Sequence, residues 1–155
     1  MKKIFSVHHN STKIDFALLL TRVAIALLML THGVPKLGGL TQDPVQFMDF
    51  LGLGPAISLS LVIFAEVICS VLLLLGLGTR LAVIPLSITM MVAAFHIHIG
   101  DPFAKQEMAL HFLLVYVVLF ILGSGKYSID NFLSKAKANF KTRNDRFNKL
   151  NTARI

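Results

Sequence analysis

Residues 55–77 read PAISLSLVIFAEVICSVLLLLGL. Glu66 stands alone in this stretch: Lys, Arg, His, Asp and Glu are absent from Leu53 to Ala65 and from Val67 to Thr79. A run of about 20 apolar residues is what a helix needs to cross the hydrocarbon of a bilayer. Glu66 then falls near the middle of the crossing. A carboxyl at that depth must be neutral, paired with a cation, or in contact with a polar cavity, and intramembrane carboxylates are functional by default.

Three more apolar runs lie around it, Phe16 to Val34, Leu81 to Ile99 and Met108 to Leu122, the last extending to Glu107 and Gly123. The chain has 155 residues, 55% of them hydrophobic, and a mean hydropathy of +0.72. A soluble domain of this size could not hide that much apolar surface. Helices are the default spanning element, because backbone groups must be satisfied within the segment, and the runs lack the alternation of a membrane β-barrel. The fold class expected is all-α, a four-helix transmembrane bundle over residues 14–126 with a basic tail over 127–155. The first run could be mistaken for a secretion signal. Arg22 interrupts it and no Ala-x-Ala site follows, so it reads as a retained span.

Leu37 to Gly54 forms the first long loop, in which Val45, Phe47, Met48, Phe50 and Leu51 suggest a short helix in the membrane interface. Gly76-Leu77-Gly78-Thr79-Arg80 is a tight turn, Gly100-Asp101-Pro102 breaks the third run, and Gly123-Ser124-Gly125 ends the fourth. The amino end carries Lys2, Lys3 and Lys13, the tight turn Arg80, and the stretch from Lys126 to Arg154 eight of the fifteen Lys and Arg. The other two loops carry only Lys36 and Lys105 beside four acids. The excess of positive charge puts both termini in the cytoplasm and both long loops outside, in a multi-pass protein of the bacterial cytoplasmic (inner) membrane. Within the tail, Phe132, Leu133, Ala136 and Phe140 share a helical face beside lysines, which reads as a basic amphipathic helix on the inner leaflet. No base-reading motif accompanies the charge, so nucleic acid is not an expected partner. Membrane lipid is the expected partner, and a homo-oligomer is compatible with the sequence.

Inside the bundle, Arg22 and Glu66 form the expected polar core. At ~1.5 Å rise per residue they differ in depth by ~7 Å, within reach of an arginine. Arg22 could pair with Glu66 or extend to the inner headgroups. A second set lies toward the outside: His32, His96 or His98, and His111, with Lys36 four residues after His32 and Glu107 four before His111. The expected outer pocket is His32, Lys36, His96, Glu107 and His111. Such a set could hydrogen-bond a quinone-like or small polar ligand, relay protons, or rest at headgroup level. No histidine pair has the i, i+4 spacing of a metal site in one helix, and the single cysteine, Cys69, excludes an internal disulfide and a Cys-x-x-Cys pair. No metal is therefore expected, no covalent haem motif is present, and no catalytic residue can be assigned. Gly123-Ser124-Gly125-Lys126 fails as a phosphate loop, because Phe120 stands where the first glycine belongs and Tyr127 where Ser or Thr is needed.

The residues together resemble the DoxX family of small bacterial membrane proteins, over about Leu18 to Asp130. Arg22 is followed by His32-Gly33-Val34-Pro35-Lys36-Leu37, similar to the family's His-Gly-x-x-Lys-Leu. Glu66 with Leu74-Leu75-Gly76-Leu77-Gly78-Thr79-Arg80-Leu81 is similar to its Glu followed by Leu-Gly-Leu-x-Thr-Arg. His96, Glu107 and Gly123-x-Gly125-x-Tyr127-Ser128-x-Asp130 complete the resemblance. It implies a four-helix membrane protein. Members are linked to quinone-dependent sulfur oxidation and to membrane oxidoreductase or oxidative-stress complexes, which implies quinone as a cofactor and an oxidoreductase subunit as a partner. A distant eukaryotic relative is a cargo receptor, so a non-enzymatic scaffold or a small-solute transporter is the alternative.

Overall fold

A computed structural model describes residues 11–50 and 52–152, with side chains described to Arg143. Lys2, Lys3 and Leu51, used above, lie outside the described residues. The described chain is helical without strands, and four helices are long and apolar enough to cross a membrane. Helix α1 spans Ser11–Gly33 and runs on as a 3-10 helix over Val34–Thr41. The other spans are α2 (Pro55–Leu75), α3 (Thr79–Ile97) and α4 (Phe103–Leu122). Helix α5 (Ile129–Thr152) follows, longer than its apolar face alone suggests.

The stretch around Glu66 is the most buried of the four. Half of the most apolar window of α2 is buried, against 22% to 28% in the other spans. Helix α1 packs chiefly on α2, and α3 on α4. Their shared core includes Ala26 and Met29 of α1, Leu73 of α2, Val83 and Leu86 of α3, and Tyr116 of α4. Two spans contain π-helical turns, Phe64–Cys69 in α2 and Ala93–Ile97 at the end of α3. Such turns occur often at functional sites, because the extra residue rotates whatever follows it. After Thr41 the loop before α2 contains no helix in its described residues. Val45 to Phe50 are irregular, and the Asp49 carboxylate replaces helical bonding by accepting from the N–H groups of Leu53 (3.1 Å) and Gly54 (3.0 Å) and from Ser58 Oγ (3.1 Å). Burial works against the charge on Asp49, but these hydrogen bonds prevail and hold the carboxyl below its usual range.

One end of the bundle is closed by a polar knot. Arg22, only 2% exposed, donates from its two terminal nitrogens to the carbonyls of Ser124 (2.5 Å) and Tyr127 (2.7 Å). Gly76 turns left-handed (φ +68°) and ends α2 in a Schellman motif, with Leu77 N–H on Leu72 O (3.0 Å) and Gly76 N–H on Leu73 O (3.1 Å). Asp130 accepts from Gly78 N–H (2.8 Å) and Thr79 N–H (3.4 Å) at the start of α3, while its own N–H donates to Gly76 O (3.1 Å). An acid at that helix end is favoured by both the free N–H groups and the helix dipole. Lys126 N–H donates to Asp15 (2.9 Å). The start of α1 and the start of α5 are thereby fixed at the same end of the bundle.

Candidate functional site

Glu66 lies in the π turn of α2 and is 3% exposed. Its partner is Lys36, in the 3-10 turn that continues α1. The Lys36 ammonium donates to both carboxylate oxygens, at 2.5 and 2.6 Å. Depth alone had pointed to Arg22, which is instead taken up by the knot. The pair is made from one loop and one span thirty residues apart. Gly33 makes it reachable. A Cβ there would lie 2.8 Å from Glu66 Cβ, 2.9 Å from Val67 Cγ2 and 3.0 Å from the Glu66 carbonyl carbon. An alanine in a helix is ordinarily worth up to about 1 kcal/mol over glycine. Here Gly33→Ala is expected to reverse that sign and destabilise by about 1–3 kcal/mol, since α1 must move off α2. Denaturant unfolding in detergent measures it.

Two cavities meet at this pair. The central one, of about 170 Å³, is lined by His32, Lys36, Glu66, His98, Lys105 and Phe112 among others. The His32 ring meets Phe112 edge-on (5.8 Å between centroids), and Phe112 packs in turn on Tyr116 (6.1 Å), whose hydroxyl is buried. The second cavity, of about 440 Å³, is a predominantly apolar groove between α2 and α3. Its rim carries the exposed side chains of Leu61, Phe64 and Ile88, so it opens on the lipid-facing flank, and Phe47 and Phe50 of the loop line it too. Lys36, Glu66, Ala93 and His98 line both cavities. The ion pair is the polar wall between them.

His98 takes the place expected of His96. The π turn closes with His98 N–H on Ala93 O (3.1 Å), and this extra residue rotates the following side chains relative to an α-helical count. His96 is exposed, whereas His98 faces the cavities. His98 Nδ1 donates to Asp101 (2.7 Å), Lys105 approaches the same carboxylate (3.3 Å), and Gln106 donates to the His98 carbonyl (2.6 Å). This bonding leaves the second ring nitrogen of His98 for a ligand. The hydrogen bond from His98, and then that from Lys105, hold the Asp101 carboxyl below its usual range. A lowered acid contributes stability above the ordinary carboxylate range and loses it as pH falls through the lowered value. The difference in melting temperature between the wild type and Asp101→Asn is therefore expected to shrink as pH drops below about 4.

Glu107 and His111 do not join this site. They line a separate, largely apolar hollow of about 390 Å³ between α1 and α4. Of the expected outer set, His32 and Lys36 come together, and Glu66 joins them from the polar core. Among the described residues, no three of His, Cys, Asp and Glu form a metal-binding group. Sequence reasoning missed His98, Lys105 and the groove. The motif His32-Gly33-x-x-Lys36 was the available signal for the pair, since its glycine marks a close approach.

Fold and site together define a small multi-pass helical membrane protein, with a partly exposed lysine bonded to a buried carboxylate at the head of a lipid-facing groove. The chain belongs to the DoxX family, whose profile matches residues 17–99. It is 29% identical over 126 residues to "Putative oxidoreductase CatD" of Bacillus subtilis (strain 168), covering 81% of this chain and 92% of that one. An "Uncharacterized protein" of Haemophilus influenzae is also 29% identical, over 117 residues, covering 71% of this chain and 85% of its own. No solved structure matches the chain.

Proposed function

We propose that this protein binds a quinone-like amphiphile in the lateral groove and serves as the membrane subunit of an oxidoreductase or oxidative-stress complex. The observation that carries the reading is a groove of about 440 Å³ with an apolar body and a charged head at Lys36, Glu66 and His98. Its volume is within the range of small-molecule sites, and an apolar lining with a few convergent polar groups is their usual chemistry. The residues fit a quinone: Lys36 has a third N–H for a ring oxygen, the free ring nitrogen of His98 can accept from a quinol hydroxyl, and the apolar side chains suit an isoprenoid tail. A bound quinone would supply two-electron, two-proton redox exchange. The chain's own part is to bind the ring, exclude water through the apolar walls, and hold charge at the Lys36–Glu66 pair. The name of the Bacillus relative agrees with a redox role. We place both termini in the cytoplasm of a bacterial inner membrane, with the groove's polar head toward the outside, on the distribution of Lys and Arg.

The protein purified in mild detergent should carry quinone extractable by organic solvent. Val92→Trp, which fills the groove, should lower that quinone at least about tenfold, the scale of one lost anchor. Wild-type protein without bound quinone and without quinone-dependent thermal stabilisation would favour the scaffold or transporter instead.

A further inference from the structure

We infer that α5 is a docking surface for an anionic lipid bilayer. At about 100° per residue, Ile129, Phe132, Leu133, Ala136 and Phe140 fall within an arc of about 100°. Phe132 is 71% exposed, Leu133 51% and Phe140 67%. Lys135 and Lys137 stand about 60° and about 40° beyond the two edges of that arc. Lys141 adds positive charge about 80° beyond the Leu133 edge, and Arg143 falls on the arc itself just past Phe140, where its stem can lie on the apolar face with the guanidinium at headgroup level. The helix also begins at a fixed place. Only residues 123–128 separate it from the end of α4, and Arg22 and Asp130 tie that connection to α1, α2 and α3. Helix α5 therefore leaves the bundle at the level where the membrane spans end.

The occupant must meet two demands at once. It must cover three large apolar side chains, and it must carry negative charge on both sides of them. A nucleic acid satisfies the second demand and leaves the phenylalanines in water. The interface of a bilayer containing anionic lipid satisfies both, with the apolar arc entering between headgroups and the lysines reaching phosphate on either side. The inference concerns a surface remote from the groove and does not depend on what the groove holds.

The sequence contains no tryptophan, so Phe132→Trp makes the full-length protein report from the apolar arc alone. It is reconstituted in nanodiscs of phosphatidylcholine and in nanodiscs that also contain phosphatidylglycerol. In the anionic discs its emission should shift to the blue, and brominated acyl chains should quench it at least about twofold more than in the neutral discs. Ala138→Trp, on the opposite face, should emit as in water in both. Changing Lys135, Lys137, Lys141 and Arg143 to Gln in the Phe132→Trp background should abolish the difference between discs. Water-like emission from Phe132→Trp in anionic discs would overturn the inference. So would equal quenching of the two reporters, or burial that ignores both lipid charge and the four basic residues, the outcome expected if α5 packs on protein.

Discussion

Replacing Lys36 with methionine should destabilise the bundle by about 3–5 kcal/mol, because breaking a buried ion pair leaves an uncompensated charge in apolar surroundings. Glu66 is 3% exposed and both its oxygens are bonded to the Lys36 ammonium. Lys36 is a third exposed, so an effect at the lower end of that range is expected. Removing the carboxylate with it should be far milder. In the Lys36→Met, Glu66→Leu double variant most of the lost stability should return, because an apolar pair of similar volume fills the same space without desolvated charge. The four proteins form a double-mutant cycle, read by denaturant unfolding in detergent. A coupling near zero would mean that the pair does not hold the site together.

Gly76→Ala should be nearly as damaging as the loss of Arg22. Arg22→Leu strands the carbonyls of Ser124 and Tyr127 and removes the largest fully buried side chain. Each hydrogen bond to a charged group contributes about 1.5–3 kcal/mol, so the two set a loss of about 3–6 kcal/mol. Gly76 acts on the same contacts. A Cβ on it would lie 2.5 and 2.6 Å from the Arg22 guanidinium and 2.7 Å from Ser128 Cβ, on a backbone already at φ +68°. Left-handed backbone alone costs an ordinary residue about 1–2 kcal/mol. Displacing the guanidinium should bring the total to about 3–4 kcal/mol. In an Arg22→Leu background the part due to the guanidinium should vanish, leaving the backbone cost and the close approach to Ser128. Full additivity would mean that the two residues act independently.

Four spans and an isolated carboxyl at Glu66 within one of them were legible because they depend on composition and length, which the bilayer constrains strongly. The partner of Glu66 was not. Counting depth along straight helices favours Arg22, but it cannot see a side chain that re-enters from a 3-10 turn beyond the end of α1. A helical count favours His96 over His98 for a related reason: it assumes 100° per residue, and the π turn at Ala93–Ile97, which contains His96, breaks that count. The groove needs four parts of the chain at once, the 3-10 turn bearing Lys36, the loop bearing Phe47 and Phe50, α2 and α3, so no single stretch announces it. The motif residues that carry the family resemblance divide between two tasks. Arg22, Gly76, Gly78 and Asp130 close one end of the bundle, while Gly33, Lys36 and Glu66 build the pair at the groove.

Photoaffinity labelling with an azido-quinone, followed by peptide mapping of the intact protein in native-like lipid, tests the central proposal most directly. The label should fall on the walls of the groove, in residues 47–50, 61–66 and 88–98, and excess unlabelled quinone should compete it away. Label spread over the lipid-facing flank of α1 and α4, around Leu28 and Leu114, or labelling that competitor does not reduce, would contradict it.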